Sequence, residues 1–295
     1  MRIAIIASGL LTGKDARRQM SGVEKRLEEE KIDFDVHIAR RHNHAMEIAA
    51  GLPLSEYDAV APMGGDGTNF QVLNGLARSA GPEGPPPLAI LPAGRGNSFA
   101  RDLGIENMDD ALSALARGRL RRVDVCRFSQ GPEAYYFINL MGVGFVADVA
   151  RTASRLRWLG TAGYVAGVLY RTASLSFYEM ELEIDGEATL EKNCFVEICN
   201  SRYTGGDMLM APEAEIDDGL FDVVIVRPLS RAGLLWTLPK IFKGTHGENP
   251  AARFQRAKSL KIRTEVKKAL LPDGELFGST PARVDVMPGM ARYFS

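Results

Sequence analysis

Met63-Gly64-Gly65-Asp66-Gly67-Thr68-Asn69 follows the apolar residues Ala59, Val60 and Ala61 and opens a segment that carries Phe70, Val72, Leu73 and Leu76 in a helical pattern. It reads as strand, glycine turn, helix. Glycines let the backbone reach positive φ and bring amide N–H groups against an anion at a helix start, where the dipole favours negative charge. A phosphate suits such a cradle. Asp66 inside it is costly unless a cation screens it, which makes a nucleotide with magnesium the natural ligand. The plainer alternative is an ordinary tight turn between a strand and a helix.

A second turn of the same kind follows. Leu88, Ala89, Ile90 and Leu91 form a short apolar strand ahead of Pro92-Ala93-Gly94-Arg95-Gly96-Asn97-Ser98, and Phe99 to Gly104 has the look of a short helix. In an open parallel sheet, loops of this kind gather at the carboxyl ends of the strands, so both turns can face one ligand.

The 295 residues are about twice a common domain length, and 45% hydrophobic content can supply two cores. A formal net charge of −1 argues against nucleic acid as a bulk electrostatic partner. Cys126, Cys194 and Cys199 are odd in number and lack a metal spacing, which suits buried, reduced thiols in a cytoplasmic protein. Met1 to Ala7 reads as a first buried strand rather than a signal segment. The apolar stretch from Leu159 to Phe177 is broken by Arg171, so no transmembrane segment is expected and any membrane contact is peripheral.

Charge is unevenly spread. Arg151, Arg155, Arg157 and Arg171 fall in a stretch without Asp or Glu, and Arg253 to Lys268 holds seven basic residues beside Glu265 alone. Each is a solvated face, or an anion site or anionic membrane surface. Arg231 to Lys243 mixes Leu234, Leu235, Trp236, Leu238, Ile241 and Phe242 with three cations, the composition of an interfacial segment or of a buried core element, with Pro239 expected to bend any helix there.

Residues 1–124 alternate strand and helix: strand Ile3 to Ala7, helix around Met20 to Glu30, strand Phe34 to Ile38, helix around Ala45 to Ala50, the two glycine-turn units, and helix Met108 to Arg117. That is an α/β domain with a parallel sheet. Pro82 to Pro87 reads as a surface loop. From Val123 onward short alternating strands separated by turns such as Asp185-Gly186 indicate a mostly antiparallel β domain over 125–279.

With these motifs in order, Gly64-Gly65-Asp66-Gly67-Thr68, Asn74-Gly75-Leu76, Leu91 to Asn97, Asn43-His44-Ala45, Gly142-Val143-Gly144-Phe145, Gly205-Gly206-Asp207-Met208, Asp217 to Asp222 and Asp273-Gly274-Glu275, the chain resembles the diacylglycerol kinase catalytic-domain family, which also includes sphingosine and ceramide kinases. The resemblance covers nearly the whole chain. It implies a β-sandwich for the second domain, residues of about 280–295 returning to the first, and an active site in the interdomain cleft. It also implies ATP and Mg²⁺ as cofactors and a lipid substrate presented at a membrane surface. The sequence leaves the oligomeric state open, a homodimer included.

Carried over residue by residue, the resemblance assigns Gly64, Gly65, Asp66, Gly67, Thr68, Asn69, Gly94, Arg95, Gly96 and Asn97 to the nucleotide, with Arg157 near its phosphates. Asp66 is implied to organise the metal, joined by Asp124. A structural magnesium is implied at the Asp218 carboxylate and the carbonyl oxygens of Glu215 and Leu220, a mixed oxygen shell suited to a hard cation. Asp148 is implied near the acceptor hydroxyl, and His44 is read as a structural or ligand-stacking side chain at a helix start. Asp273 and Glu275 flank Gly274 in a tight turn, where repulsion and partial burial could raise one pKa. The resemblance makes this segment the general base, with the choice between the two carboxylates open.

The chain departs from the family at Arg95 and Ala39, where relatives often carry hydroxyl side chains, and Arg95 could instead pair with phosphate oxygens. Arg40 to Ala45, Gly144 to Val149 and Arg157 to Gly160 look closer to the sphingosine and ceramide kinase branch. Sphingosine kinases place an acidic residue where this chain has Ala150, which tilts the acceptor toward ceramide or diacylglycerol and away from a lipid with a protonated amine. An NAD-kinase-type enzyme on a soluble substrate and a non-catalytic lipid or nucleotide binder are the alternatives.

Overall fold

The computed structural model describes residues 1–9, 14–80, 84–155 and 161–295. Two compact units emerge, residues 1–125 with 288–295 and residues 126–287.

The first unit is built on a parallel sheet of order β2-β1-β3-β4, with β1 Arg2–Ser8, β2 Asp33–Ala39, β3 Ala59–Gly64 and β4 Leu91–Pro92. Ile3 to Ala7 are buried along their whole length. A strand flanked by neighbours on both edges and covered on both faces has no polar side to show, hence the unbroken apolar run. The second apolar strand is shorter than Leu88 to Leu91. Leu88 makes only isolated bridges, to Val60 and Tyr293, because the prolines at 85–87 and 92 supply no ladder N–H. The Leu88 N–H donates to the Arg292 carbonyl, which ties residues 288–295 to this unit.

The helices among the described residues here are α1 Lys14–Glu29, α2 His44–Gly51, α3 Asp66–Ser79, α4 Ser98–Asp102 and α5 Met108–Arg117. Helix α1 starts at Lys14 rather than near Met20, since Lys14 to Arg18 carries no apolar period to mark it. Helix α5 is written into the sequence at both ends. The Asn107 Oδ1 accepts the Asp110 N–H at 3.0 Å, the Asp110 carboxylate accepts the Glu106 N–H at 3.1 Å, and Gly118 closes the helix at φ 69°.

Helices α2 and α3 pack face to face. A Cβ on Gly75 would lie 2.3 Å from the Met46 carbonyl oxygen and 2.6 Å from the Ala49 Cβ, so the Asn74-Gly75-Leu76 motif marks a helix crossing too close for any side chain. Gly75→Ala is expected to cost about 1–3 kcal/mol of stability, read as a lower denaturation midpoint with unchanged slope. An unchanged midpoint would show that the helices part at no cost.

In the second unit the strands β7 Leu140–Gly144, β10 Phe195–Cys199, β13 Phe221–Val226, β14 Ala252–Ala257 and β16 Leu270–Pro272 form an antiparallel sheet of order β14-β13-β10-β7-β16. A six-stranded sheet has the order β6-β5-β17-β15-β8-β9, from β5 Leu120–Gln130, β6 Glu133–Phe137, β8 Tyr178–Ile184, β9 Glu187–Asn193, β15 Ser259–Thr264 and β17 Ala282–Phe294. The boundary between the units falls inside β5 and β17. Two short strands, β11 Tyr203–Thr204 and β12 Met208–Leu209, make a separate hairpin.

Part of the basic run after Arg253 resolves into cross-strand pairs. Lys261 faces Glu183 at 2.6 Å and Arg263 faces Glu181 at 3.2 Å, each directly opposite in register.

Among the described residues this unit also holds the helices α6 Phe145–Arg155, α7 Thr161–Ala173 and α8 Arg231–Ile241, where the sequence reading saw mainly strands. Phe145, Val149, Leu234 and Ile241 join Phe195, Cys199 and Val224 of the sheet in one apolar cluster. Helix α8 runs through Pro239.

Candidate active site

Strand β3 ends at Gly64 and α3 begins at Asp66, with Gly65 as its N-cap. The second glycine turn closes directly onto the first. A Cβ on Gly94 would lie 2.4 Å from the Gly65 Cα, and the Gly64 carbonyl accepts the Ala93 and Gly94 N–H groups at 3.0 and 3.1 Å. Only glycine at position 94 allows this backbone contact. Asn97, at φ 53°, holds the turn from within, accepting the Gly94 N–H at 3.1 Å and donating to the Gly94 carbonyl at 2.9 Å.

Asp66 stitches the two turns together. Its Oδ2 accepts the Ser98 N–H at 3.0 Å and its Oδ1 the Phe99 N–H at 3.2 Å, which satisfies amides at the start of α4. Burial pushes its carboxyl up, and these hydrogen bonds oppose the shift. The cradle expected at the second turn is thus partly filled by a side chain of the first. The amides of Gly65, Gly67, Arg95 and Gly96 keep no hydrogen-bond partner among the described residues, and Arg95 is exposed with no acidic partner among them. Thr68 packs its side chain over Gly64. Asn69 is buried, its Oδ1 accepting the Tyr293 hydroxyl at 3.1 Å and its Nδ2 without a partner among the described residues.

Other expected residues of this unit are held by hydrogen bonds. Asp124 is buried and accepts the Gly289 N–H at 2.7 Å. The His44 Nδ1 accepts the Arg40 N–H at 3.0 Å, which fixes the ring at the start of α2, where Arg41 pairs with Glu47. That bond leaves Nε2 as the protonated nitrogen of the neutral ring.

In the second unit the Asp-Gly-Glu turn separates its two carboxylates by environment. Asp273, at φ 46°, is buried, and it accepts the N–H groups of Ile138, Asn139 and Leu140 at 3.1, 2.8 and 3.2 Å. The same loop is held from the other side, since Asn200 donates its Nδ2 to the Ile138 carbonyl at 2.8 Å and Ser201 bonds the Asn139 side chain. Three amide donors hold the Asp273 carboxylate in place within the turn. Glu275 is half-buried, and its carboxylate makes no hydrogen bond among the described residues.

Asp148, on the first turn of α6, accepts the hydroxyl of Tyr178. Burial, reinforced by this bond, raises the phenol pKa, so Tyr178 stays a donor. The Lys268 ammonium sits 4.0 Å from the centre of the Tyr178 ring. Neither Tyr178 nor Lys268 carries a local sequence signal, because strand and loop meet only in the fold.

Asp218 pairs with Arg256 through Oδ2 and accepts the Leu220 N–H through Oδ1 at 2.9 Å, while Glu215 is exposed. No cluster of three His, Cys, Asp or Glu side chains gathers at metal-binding spacing among the described residues. For a magnesium carried on a nucleotide this is no misfit, since one or two carboxylates and the phosphates suffice. Arg157 lies outside the described residues.

A family model for the diacylglycerol kinase catalytic domain matches residues 4–128, and a second, described as YegS C-terminal NAD kinase beta sandwich-like domain, matches residues 139–294. A diacylglycerol kinase of Mycobacterium tuberculosis is 32% identical over 265 residues, 88% of this chain and 82% of that protein. The chain belongs to the diacylglycerol kinase family of lipid kinases. Sphingosine kinase 1 of Arabidopsis thaliana is 25% identical over 299 residues, which cover 85% of this lipid kinase and 62% of the plant protein. The solved structure of a diacylglycerol kinase from Bacillus anthracis superposes with a TM-score of 0.75 at 22% identity, over 99% of this chain and 96% of that one, a likeness of fold. The lipid kinase fold is therefore an α/β domain with a parallel sheet followed by a sandwich-like antiparallel domain.

Proposed function

We propose that this lipid kinase transfers the γ-phosphoryl group of ATP to the primary hydroxyl of a neutral long-chain lipid, diacylglycerol or ceramide, in preference to sphingosine. The free amides of Gly65, Gly67, Arg95 and Gly96, with the Arg95 guanidinium, receive the nucleotide phosphates. Asp66 and Asp124 are the carboxylates for a nucleotide-borne magnesium, which when bound neutralises charge on the phosphate oxygens. Glu275 takes the proton of the acceptor hydroxyl as that oxygen bonds to the γ-phosphorus and the bond to the ADP oxygen breaks. Asp273 holds the turn that presents Glu275. The contrast between a carboxylate bound by three amides and an unbonded one two residues on supports this division of roles.

The acceptor preference rests on Asp148. With the Asp148 Oδ2 accepting the Tyr178 hydroxyl and Lys268 against that ring, a protonated amine competes with a donor already in place and with a neighbouring cation. An amide or ester loses nothing there. In mixed micelles with labelled ATP, kcat/KM for ceramide or diacylglycerol is expected to exceed that for sphingosine by roughly tenfold or more, the worth of one charge-assisted hydrogen bond. NAD belongs in the same panel. Label in NAD alone would refute the lipid acceptor, and a sphingosine preference would refute the role given to Asp148 and Tyr178.

A further inference from the structure

Helix α8 is two-sided. Leu234, Thr237 and Ile241 are buried, and Leu238 packs against the same core. Its other side is apolar as well: Trp236 is 74% exposed, Leu235 is 42% exposed, and Phe242, just past the end, is 58% exposed. Large side chains at such exposure are unusual unless something covers them. Helix α7, which contacts α8, exposes Leu169 and Tyr170.

The charges nearby indicate the cover. No Asp or Glu occurs between Arg227 and Gly247. Lys240 is paired with Glu248 at 2.9 Å, but Arg231 and Lys243 have no acidic partner among the described residues. Successive residues turn by about 100° along a helix, which puts Trp236 and Lys240 on the side opposite Leu234 and Ile241, Leu235 and Arg231 on a flank, and Lys243 just past the end. Exposed aromatics on a helix with an unpaired cation at each end, Arg231 and Lys243, complement a surface that is apolar below and anionic above.

We propose that α8 docks on an anionic phospholipid bilayer, with Trp236 and Phe242 seated at the acyl boundary and Arg231 and Lys243 at the headgroups. The proposal deepens the lipid-kinase reading, on which it rests for its purpose: the acceptor is taken from the surface to which α8 holds the enzyme. Docking itself needs no catalysis.

Co-sedimentation of the full chain with acceptor-free phosphatidylcholine vesicles, with and without phosphatidylglycerol, tests it. Wild type should bind the anionic vesicles and lose affinity as salt rises. Trp236→Ser with Phe242→Ser should weaken binding by roughly tenfold or more, and Arg231→Gln and Lys243→Gln by roughly fivefold each. The charge variants carry the test if the apolar pair fails to fold. Activity on micellar acceptor should be kept by every folded variant, while activity on vesicle-borne acceptor falls with binding. Docking with no transfer to any lipid would support α8 and refute the kinase reading. Transfer with vesicle binding indifferent to α8, or equal on neutral vesicles, would overturn docking. So would a solution dimer that Trp236→Ser dissociates, since a second copy would then be the cover.

Discussion

Glu275→Gln is expected to lower kcat on the lipid acceptor by about 10²–10⁴-fold, the usual contribution of a positioned general base, with the thermal midpoint and ATP affinity close to wild type. The Glu275 carboxylate makes no hydrogen bond among the described residues, so its loss removes chemistry without loosening the fold. Asp273→Asn should behave in the opposite manner. It turns an anion held by three amides into a neutral group whose NH₂ can meet them, at a cost of about 1.5–3 kcal/mol for each charge-assisted bond lost. Its signature is a lower midpoint, with single-turnover chemistry at low temperature largely kept. Normal turnover in Glu275→Gln, or loss of chemistry confined to a fully stable Asp273→Asn, would reverse the assignment.

The second large effect concerns Glu197, which lies in the central strand β10 opposite Gly142 and Val224, on the side of the sheet that carries the apolar cluster. Its Oε2 has no hydrogen-bond partner among the described residues, and burial pushes the carboxyl up to about 8. The folded protein therefore holds a proton that the unfolded chain releases near 4.5. The resulting stability is fully present below that value, falls by about 1.4 kcal/mol per pH unit above it, and is lost as pH passes about 8.

Glu197→Gln removes this dependence. The variant should melt like wild type near pH 4.5 and well above it at pH values beyond 8. Asp222, raised to about 6 by burial, and His246, lowered by burial, titrate in both proteins and cancel in the difference. Parallel melting curves across the range would show that water reaches Glu197.

Much of this molecule is written in local sequence. The run Ile3 to Ala7 declares a buried parallel strand, Asn107 with Asp110 and Gly118 bounds α5, and each glycine turn sits between an apolar run and a helix. These features follow from backbone sterics and from the period of burial, which act over a few residues and can be read there. The family and its two-domain order were legible for the same reason, since turns that need glycine tolerate nothing else.

Tertiary structure alone decided what surrounds each member of a local pattern. Asp273 and Glu275 are equivalent in sequence, and the amides of 138–140, more than a hundred residues away, tell them apart. Asp66 reads in sequence as a metal carboxylate alone, and the Ser98 and Phe99 amides that also bond it arrive only in the fold. Glu197 announces nothing in Phe195-Val196-Glu197-Ile198-Cys199, because its cost arises only when strands on both sides and a helical layer exclude water. Hydrogen bonding and desolvation depend on what stands opposite a group in space, and the order of residues along a chain does not contain that.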